Sequence, residues 1–138
     1  MRFITILFLG LMSCRYAMAY DFSVVCENGQ TLYYNITSDT VPYTVEVTRQ
    51  NISYPYYDEA PVDTLVIPEM VVYNDTNYLV TRIGEMAFSN CELLKSVTIG
   101  NSVTEIGYRA FYGCYSISDI TIGNSVTDIG EYAFWHCV

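Results

Sequence analysis

The residues of this 138-residue chain whose types could do chemistry are three evenly spaced cysteines, one histidine and a concentration of aromatic rings near the C-terminal end. Cys91, Cys114 and Cys137 follow one another at a constant step of 23 residues. Thiolates at that interval make a poor metal site, because zinc needs close pairs of ligands converging from several directions. Buried thiols serving as small apolar side chains fit the spacing better. His136 is the only histidine, and neither a zinc-protease HExxH, a GxSxG nucleophile turn nor a phosphate-binding glycine loop occurs. The fifteen carboxylates fall at positions that solvated surface already explains, so no catalytic set, metal or cofactor is expected. Recognition is the remaining chemistry. Tyr108, Tyr112 and Tyr115 stand at i, i+4 and i+7, where Glu85, Ser89 and Glu92 stand one step earlier, and Trp135 falls beside Tyr112 one step later. Rings with a polar tip on a face that elsewhere carries polar residues form a candidate binding strip.

These residues keep their spacing because the chain repeats. VTRIGEMAFSNCELLKSVTIGNS (80–102) is followed by VTEIGYRAFYGCYSISDITIGNS (103–125), identical at 12 of 23 positions, and by the incomplete VTDIGEYAFWHCV (126–138). A fixed period of this length is the mark of a solenoid, in which each unit leaves an apolar side that only a neighbour can cover. Leu94-x-x-Val97-x-Ile99 and Ile117-x-x-Ile120-x-Ile122 alternate as half-buried strands do. Val103-Thr104-x-Ile106-Gly107 reads as a second short strand or turn. Ala110-Phe111-x-x-Cys114 places apolar residues at i, i+1 and i+4, consistent with about one helical turn. Stacking at ~4.8 Å per strand would align these side chains into ladders. The glycines at 84, 107 and 130 recur at one corner and imply either positive φ or close backbone approach there.

The pattern C..L..VTIGNSVT.IG..AF..C resembles the BspA-type leucine-rich repeats of bacterial surface proteins, over Thr64 to Val138. That resemblance implies a leucine-rich-repeat solenoid displayed outside the cell, acting by adhesion to host or matrix proteins. The expected fold is therefore a mainly β repeat solenoid with short helical turns and an N-terminal β-hairpin cap.

The rest of the chain agrees with export. Residues 1–19 read as a signal peptide: Arg2, an apolar run from Phe3 to Met12, and Ala17-Met18-Ala19 before a cleavage point. A competing reading makes Leu11-Met12-Ser13-Cys14 a lipobox with Cys14 lipidated. Removal of residues 1–19 takes away Arg2 and Arg15 and deepens the formal charge from −9 to −11, which disfavours nucleic acid as a partner. Residues 20–63 read as an N-terminal cap and loop. Within them, two strands flank the Asn28-Gly29 turn, Tyr43 to Thr48 alternates again, and Asn51 to Asp63 is unpatterned. Residues 64–138 form the solenoid, begun by Thr64-Leu65-Val66-Ile67, with a hairpin protruding near Tyr73 to Tyr78.

The sequence thus points to a secreted or surface-displayed module that binds protein or glycan. The alternative is a truncated, largely structural piece of a longer array. In either case the last coil, having no successor, is expected to invite end-to-end self-association through its open strand edge.

Overall fold

The 23-residue step becomes, in space, a step from one strand to its parallel neighbour. Residues 18–138 are described in this computed structural model. Nearly all of the signal-peptide reading and Cys14 therefore lie outside the described residues. Ten strands follow in order: β1 (Phe22–Val25), β2 (Thr31–Ser38), β3 (Thr44–Thr48), β4 (Asp63–Ile67), β5 (Met70–Tyr73), β6 (Thr76–Ile83), β7 (Leu94–Ile99), β8 (Glu105–Ile106), β9 (Asp119–Thr121) and β10 (Asp128–Ile129). One wall of the solenoid is the three-stranded parallel sheet β4-β7-β9. The second wall is a seven-stranded sheet in the order β1-β2-β3-β6-β8-β10, with β5 also paired to β6. Its β3, β6, β8 and β10 run parallel, whereas β1, β2 and β3 are antiparallel.

The alternating apolar residues meet between the walls. Leu65, Val97 and Ile120 align across one sheet, and Val47, Ile83, Ile106 and Ile129 across the other. Val45, Val80, Val97 and Val103 have no exposed surface, and neither do Ile83 and Ile106. The β5–β6 hairpin projects where the sequence placed it, closed by Asn74 (φ 48) and Asp75 (φ 61), the pair of left-handed residues that a tight two-residue hairpin needs. The β1–β2 hairpin turns at Gly29 (φ 83), and β2 lies antiparallel along the outer edge of β3.

The expected helical turns are absent: no helix occurs among the described residues. In Gly84 to Cys91 the chain makes tight turns, with Ala87 N–H donating to Gly84 C=O and Cys91 N–H to Phe88 C=O. Alternate N–H groups leave the coil. Met86, Phe88 and Asn90 donate to the carbonyls of Tyr108, Ala110 and Tyr112 at 2.9, 2.7 and 2.7 Å, and Arg109, Phe111 and Gly113 do the same to Glu131, Ala133 and Trp135. A helix would have spent these donors inside its own turn. Freeing them requires left-handed residues, found at Met86 and Asn90, Arg109 and Gly113, Tyr132 and His136. A non-glycine residue there costs roughly 1–2 kcal/mol. Three inter-coil hydrogen bonds at about 0.5–1.5 kcal/mol each offset two such residues per coil. The i, i+1, i+4 apolar pattern suits both conformations, so pattern alone could not separate them.

Two features extend the stack beyond the sequence-level boundary at Thr64. The parallel pairing of β3 with β6 aligns Val45 with Val80 and Val47 with Ile83, so the parallel part of the second wall begins at Thr44. The stretch read as an unpatterned loop supplies Tyr57, whose ring lies 6.5 Å from that of Phe88, within 9° of parallel. Phe88, Phe111 and Phe134 continue the column at 5.2 and 5.3 Å. The buried Tyr57 hydroxyl donates to the Ala87 carbonyl.

The corner glycines answer to close approach. A Cβ on Gly107 would lie 2.8 Å from Glu85 N and 2.9 Å from Ile83 O, both backbone atoms of the preceding coil. Gly107→Ala is expected to lower stability by about 1–3 kcal/mol by prising the coils apart, read as a lower midpoint in urea unfolding.

Candidate functional site

The turn segments that carry the inter-coil hydrogen bonds also carry the aromatic residues. Because each coil repeats the same turns, side chains at equivalent positions stand one above another, and those that point away from the Phe column form a ridge. On the last two coils this ridge is a continuous cluster of rings. Tyr108 contacts Tyr132 at 6.2 Å edge-on, Tyr132 contacts Trp135 at 5.4 Å, and Trp135 contacts His136 at 5.5 Å. His136 in turn meets Tyr112 at 6.1 Å and Tyr115 at 5.9 Å.

All four residues singled out in the sequence belong to this cluster, though they are not equally open. Tyr115 and Trp135 are 50% and 51% exposed, whereas Tyr108 and Tyr112 are half-buried. The expected side-by-side arrangement of Trp135 and Tyr112 is not found; His136 is the ring that meets Tyr112. The premise that the polar residues of the preceding coil face water holds for Glu85 and Glu92 but fails at Ser89, which is 5% exposed.

Three members were not read from sequence as part of the strip: His136, which joins Trp135 to Tyr112 and Tyr115, and two others. Tyr132 is 40% exposed and links Tyr108 to Trp135. Arg109 lies among three tyrosines, its guanidinium carbon 4.9 Å from the Tyr108 ring centre, 5.0 Å from Tyr112 and 5.6 Å from Tyr132. Such cation–π contacts hold the rings in a fixed arrangement and put a positive charge among them. The available signal was the replacement of Met86 by Arg109 and then Tyr132 at one repeat position, with Tyr108 directly before Arg109.

The cysteine column is structural in its geometry. Cys91 and Cys114 are fully buried and Cys137 half-buried, all as free thiols. Cys114 Sγ donates to the Phe88 carbonyl at 3.1 Å, and Cys137 Sγ to the Phe111 carbonyl at 3.2 Å, so each thiol ties its coil to the one before. No group of three metal-ligating side chains occurs among the described residues.

Stacked parallel strands, alternating with turns that present a repeated apolar column, define the leucine-rich-repeat class of solenoid. The model of the BspA-type leucine-rich repeat region matches residues 54–138 in six copies, and the chain belongs to that family. The match starts at Tyr54, ahead of Thr64, in keeping with the place of Tyr57 in the column. Among solved structures, a leucine-rich repeat protein from Bacteroides ovatus is 32% identical with a TM-score of 0.67, over 86% of this chain and 27% of that one. A leucine-rich cell surface protein from Faecalibacterium prausnitzii is 28% identical with a TM-score of 0.63, over 85% of this chain and 28% of that one. A leucine-rich repeat protein from Bacteroides capillosus is 30% identical with a TM-score of 0.59, over 75% of this chain and 69% of that one. This chain therefore spans under a third of the length of the first two. No curated protein is significantly similar to it.

The buried column gives the fold an alkaline limit. Burial pushes the Cys91 thiol up to about 12 from 9.0 and holds the Tyr57 phenol well above 10.0. Both groups ionise more readily in the unfolded chain, so stability is complete below their unfolded pKa values and falls as pH rises from about 9 towards 12. The urea midpoint is expected to stay level from pH 7 to 8.5 and then drop, and Cys91→Ala should flatten part of the drop while lowering the neutral plateau.

Proposed function

We propose that this chain is an exported, surface-displayed binding module for a protein or glycan partner, and that the aromatic ridge of its last two coils is the contact surface. The observation that carries this reading is the cluster of Tyr108, Tyr112, Tyr115, Tyr132, Trp135 and His136 around Arg109. Rings held in place by their neighbours lose little freedom when they bind, and they offer flat apolar faces with polar tips to a peptide or a sugar. The signal-like residues 1–19 and the surface location named for the Faecalibacterium relative support display outside the cell. The strongly acidic composition argues against nucleic acid. The module works without catalysis or cofactor, its titratable groups serving as solvated surface or buried packing. The β1–β2 hairpin acts as the cap over the first coil, and the face of the last coil, where Ile122 and Ile129 are 39% and 55% exposed, is the place for end-to-end association.

The single tryptophan lies in the ridge, so its emission reports on the site directly. Titration with soluble extracellular-matrix proteins and with soluble glycans should shift Trp135 fluorescence for at least one of them. Tyr115→Ser with Trp135→Phe should weaken that partner's binding tenfold or more, measured by surface plasmon resonance, while changing folding stability by no more than about 0.5 kcal/mol. Undiminished binding by the double variant would place the contact elsewhere, and a large fall in its melting temperature would make the rings part of the core. Light scattering of the same preparation reads the self-association.

A further inference from the structure

At the opposite end of the molecule, three strands end their sheets around one cavity of about 600 Å³. Among the described residues, β1 and β5 have no partner on their outer edges, and neither does β4. The seven-stranded sheet curls so that its ends approach: Phe22 of β1 stacks on Tyr73 of β5 at 4.2 Å, within 5° of parallel. From that contact the strands lead away as the two sides of the cavity, Val24 and Val25 on one, Met70, Val71 and Val72 on the other, with Val66 of β4 nearby.

The backbone directions follow from bonds already made. Cys26 N–H donates to Gln30 C=O, which turns Phe22 and Val24 towards β2 and leaves Ser23 and Val25 facing out. Glu69 C=O accepts from Val80 N–H, which turns Val71 and Tyr73 towards β6 and leaves Met70 and Val72 facing out. Asp63 N–H and Ile67 C=O bond on the β7 side to Leu93 and Gly100, so Thr64 and Val66 face the open edge. The first part of that edge is closed by side-chain amides. Asn28 and Gln30 donate to Thr64 C=O at 3.2 and 3.0 Å, Gln30 donates to Val62 C=O at 3.0 Å, and its Oε1 accepts from Val62 N–H at 3.2 Å. Those amides do what a neighbouring strand would do. At Val66 the substitution stops.

Apolar side chains accompany the open backbone: Val25 is 68% exposed, Val66 52%, Met70 52% and Val72 60%. An open strand edge is usually blunted by charge, proline or a bulge. Here the rim is valine and methionine, and among the described residues the one charged group in the lining is Glu27. We propose that this groove binds an extended peptide segment of a partner protein by strand addition between β1 and β5. The segment has about four residues in the groove, the length of the two strands that would hold it, with apolar residues at alternate positions and a basic residue next to Glu27. Charge selects this occupant over a second copy of the chain, which is acidic overall and brings no excess of basic groups to Glu27.

The test uses the full exported chain and a fluorescein-labelled peptide, Lys-Thr-Val-Thr-Val-Thr-Lys, blocked at both ends. Fluorescence polarisation should show saturable binding below 1 mM, and hydrogen exchange should show slowed amides at Val25 and Val72 in the presence of the peptide. Methylation of alternate peptide amides should abolish binding. Replacement of both lysines by glutamate should weaken it at least tenfold, as should Val72→Lys in the protein, with a melting temperature close to that of the parent. Binding that survives amide methylation, that leaves Val25 and Val72 exchange unchanged, or that ignores the lysine replacement would overturn the proposal. No saturation by 1 mM would do the same. Concentration-dependent dimerisation that protects the same amides without peptide would assign the groove to a second copy instead.

Discussion

The hydrogen bonds that this structure depends on run between coils, not within them. From Thr81 to Ala133, backbone donors in one coil find acceptors in the neighbouring coil: Thr104 N–H reaches Thr81 C=O, Thr127 reaches Thr104, and Phe88 and Phe111 reach forward to Ala110 and Ala133. A buried backbone group left unpaired costs about 1–3 kcal/mol, so a coil that loses its neighbour loses several such bonds together with its apolar contacts. The period is therefore a physical constraint on register. Glycine at 107 and 130, left-handed residues at 86, 109 and 132, and the paired walls are different consequences of keeping successive coils at one spacing.

Ion pairs add little to this. Arg82 reaches Glu46 at 3.7 Å on one neighbouring strand and Glu105 at 3.0 Å on the other, and Lys95 meets Asp63 at 2.6 Å. Each has at least one substantially exposed partner, and such contacts contribute between nothing and about 1 kcal/mol. The Phe column is a different matter, since Tyr57, Phe88 and Phe111 are buried and each full burial of such a side chain is worth about 1.5–3 kcal/mol. The rigidity of that column is also what fixes the ridge: Tyr112 and Tyr115 flank Phe111 and Cys114 in sequence and cannot move far without disturbing them.

Much of this was legible in the sequence, because repetition turns a weak local pattern into a strong one. The strands at Leu94–Ile99 and Asp119–Thr121, the thiol column and both hairpins follow from spacing and from the Asn-Gly and Asn-Asp turns. What escaped did so where repetition fails or where two conformations share one pattern. Ala-Phe-x-x-Cys suits a helical turn as well as a run of tight turns, and only the demand for inter-coil donors decides. Tyr57 sits in Tyr54-Pro55-Tyr56-Tyr57, with no repeated neighbours to mark it as the head of the phenylalanine column. β3 follows a hairpin in sequence, which hid its parallel pairing with β6. Arg109 occupies a position that is Met86 one coil earlier, so its place among tyrosines is a matter of geometry alone.

The central claim is that one 23-residue coil is an interchangeable unit whose register holds the chain together. Removing Val103–Ser125 joins Ser102 directly to Val126 and keeps every later residue in phase; removing Val103–Ile120 instead breaks the phase. Circular dichroism followed through urea unfolding compares the two. The in-phase deletion should keep a cooperative transition with a smaller slope, in proportion to the surface lost, and the out-of-phase deletion should show none. Equal behaviour of the two, whether both folded or both unfolded, would contradict the account.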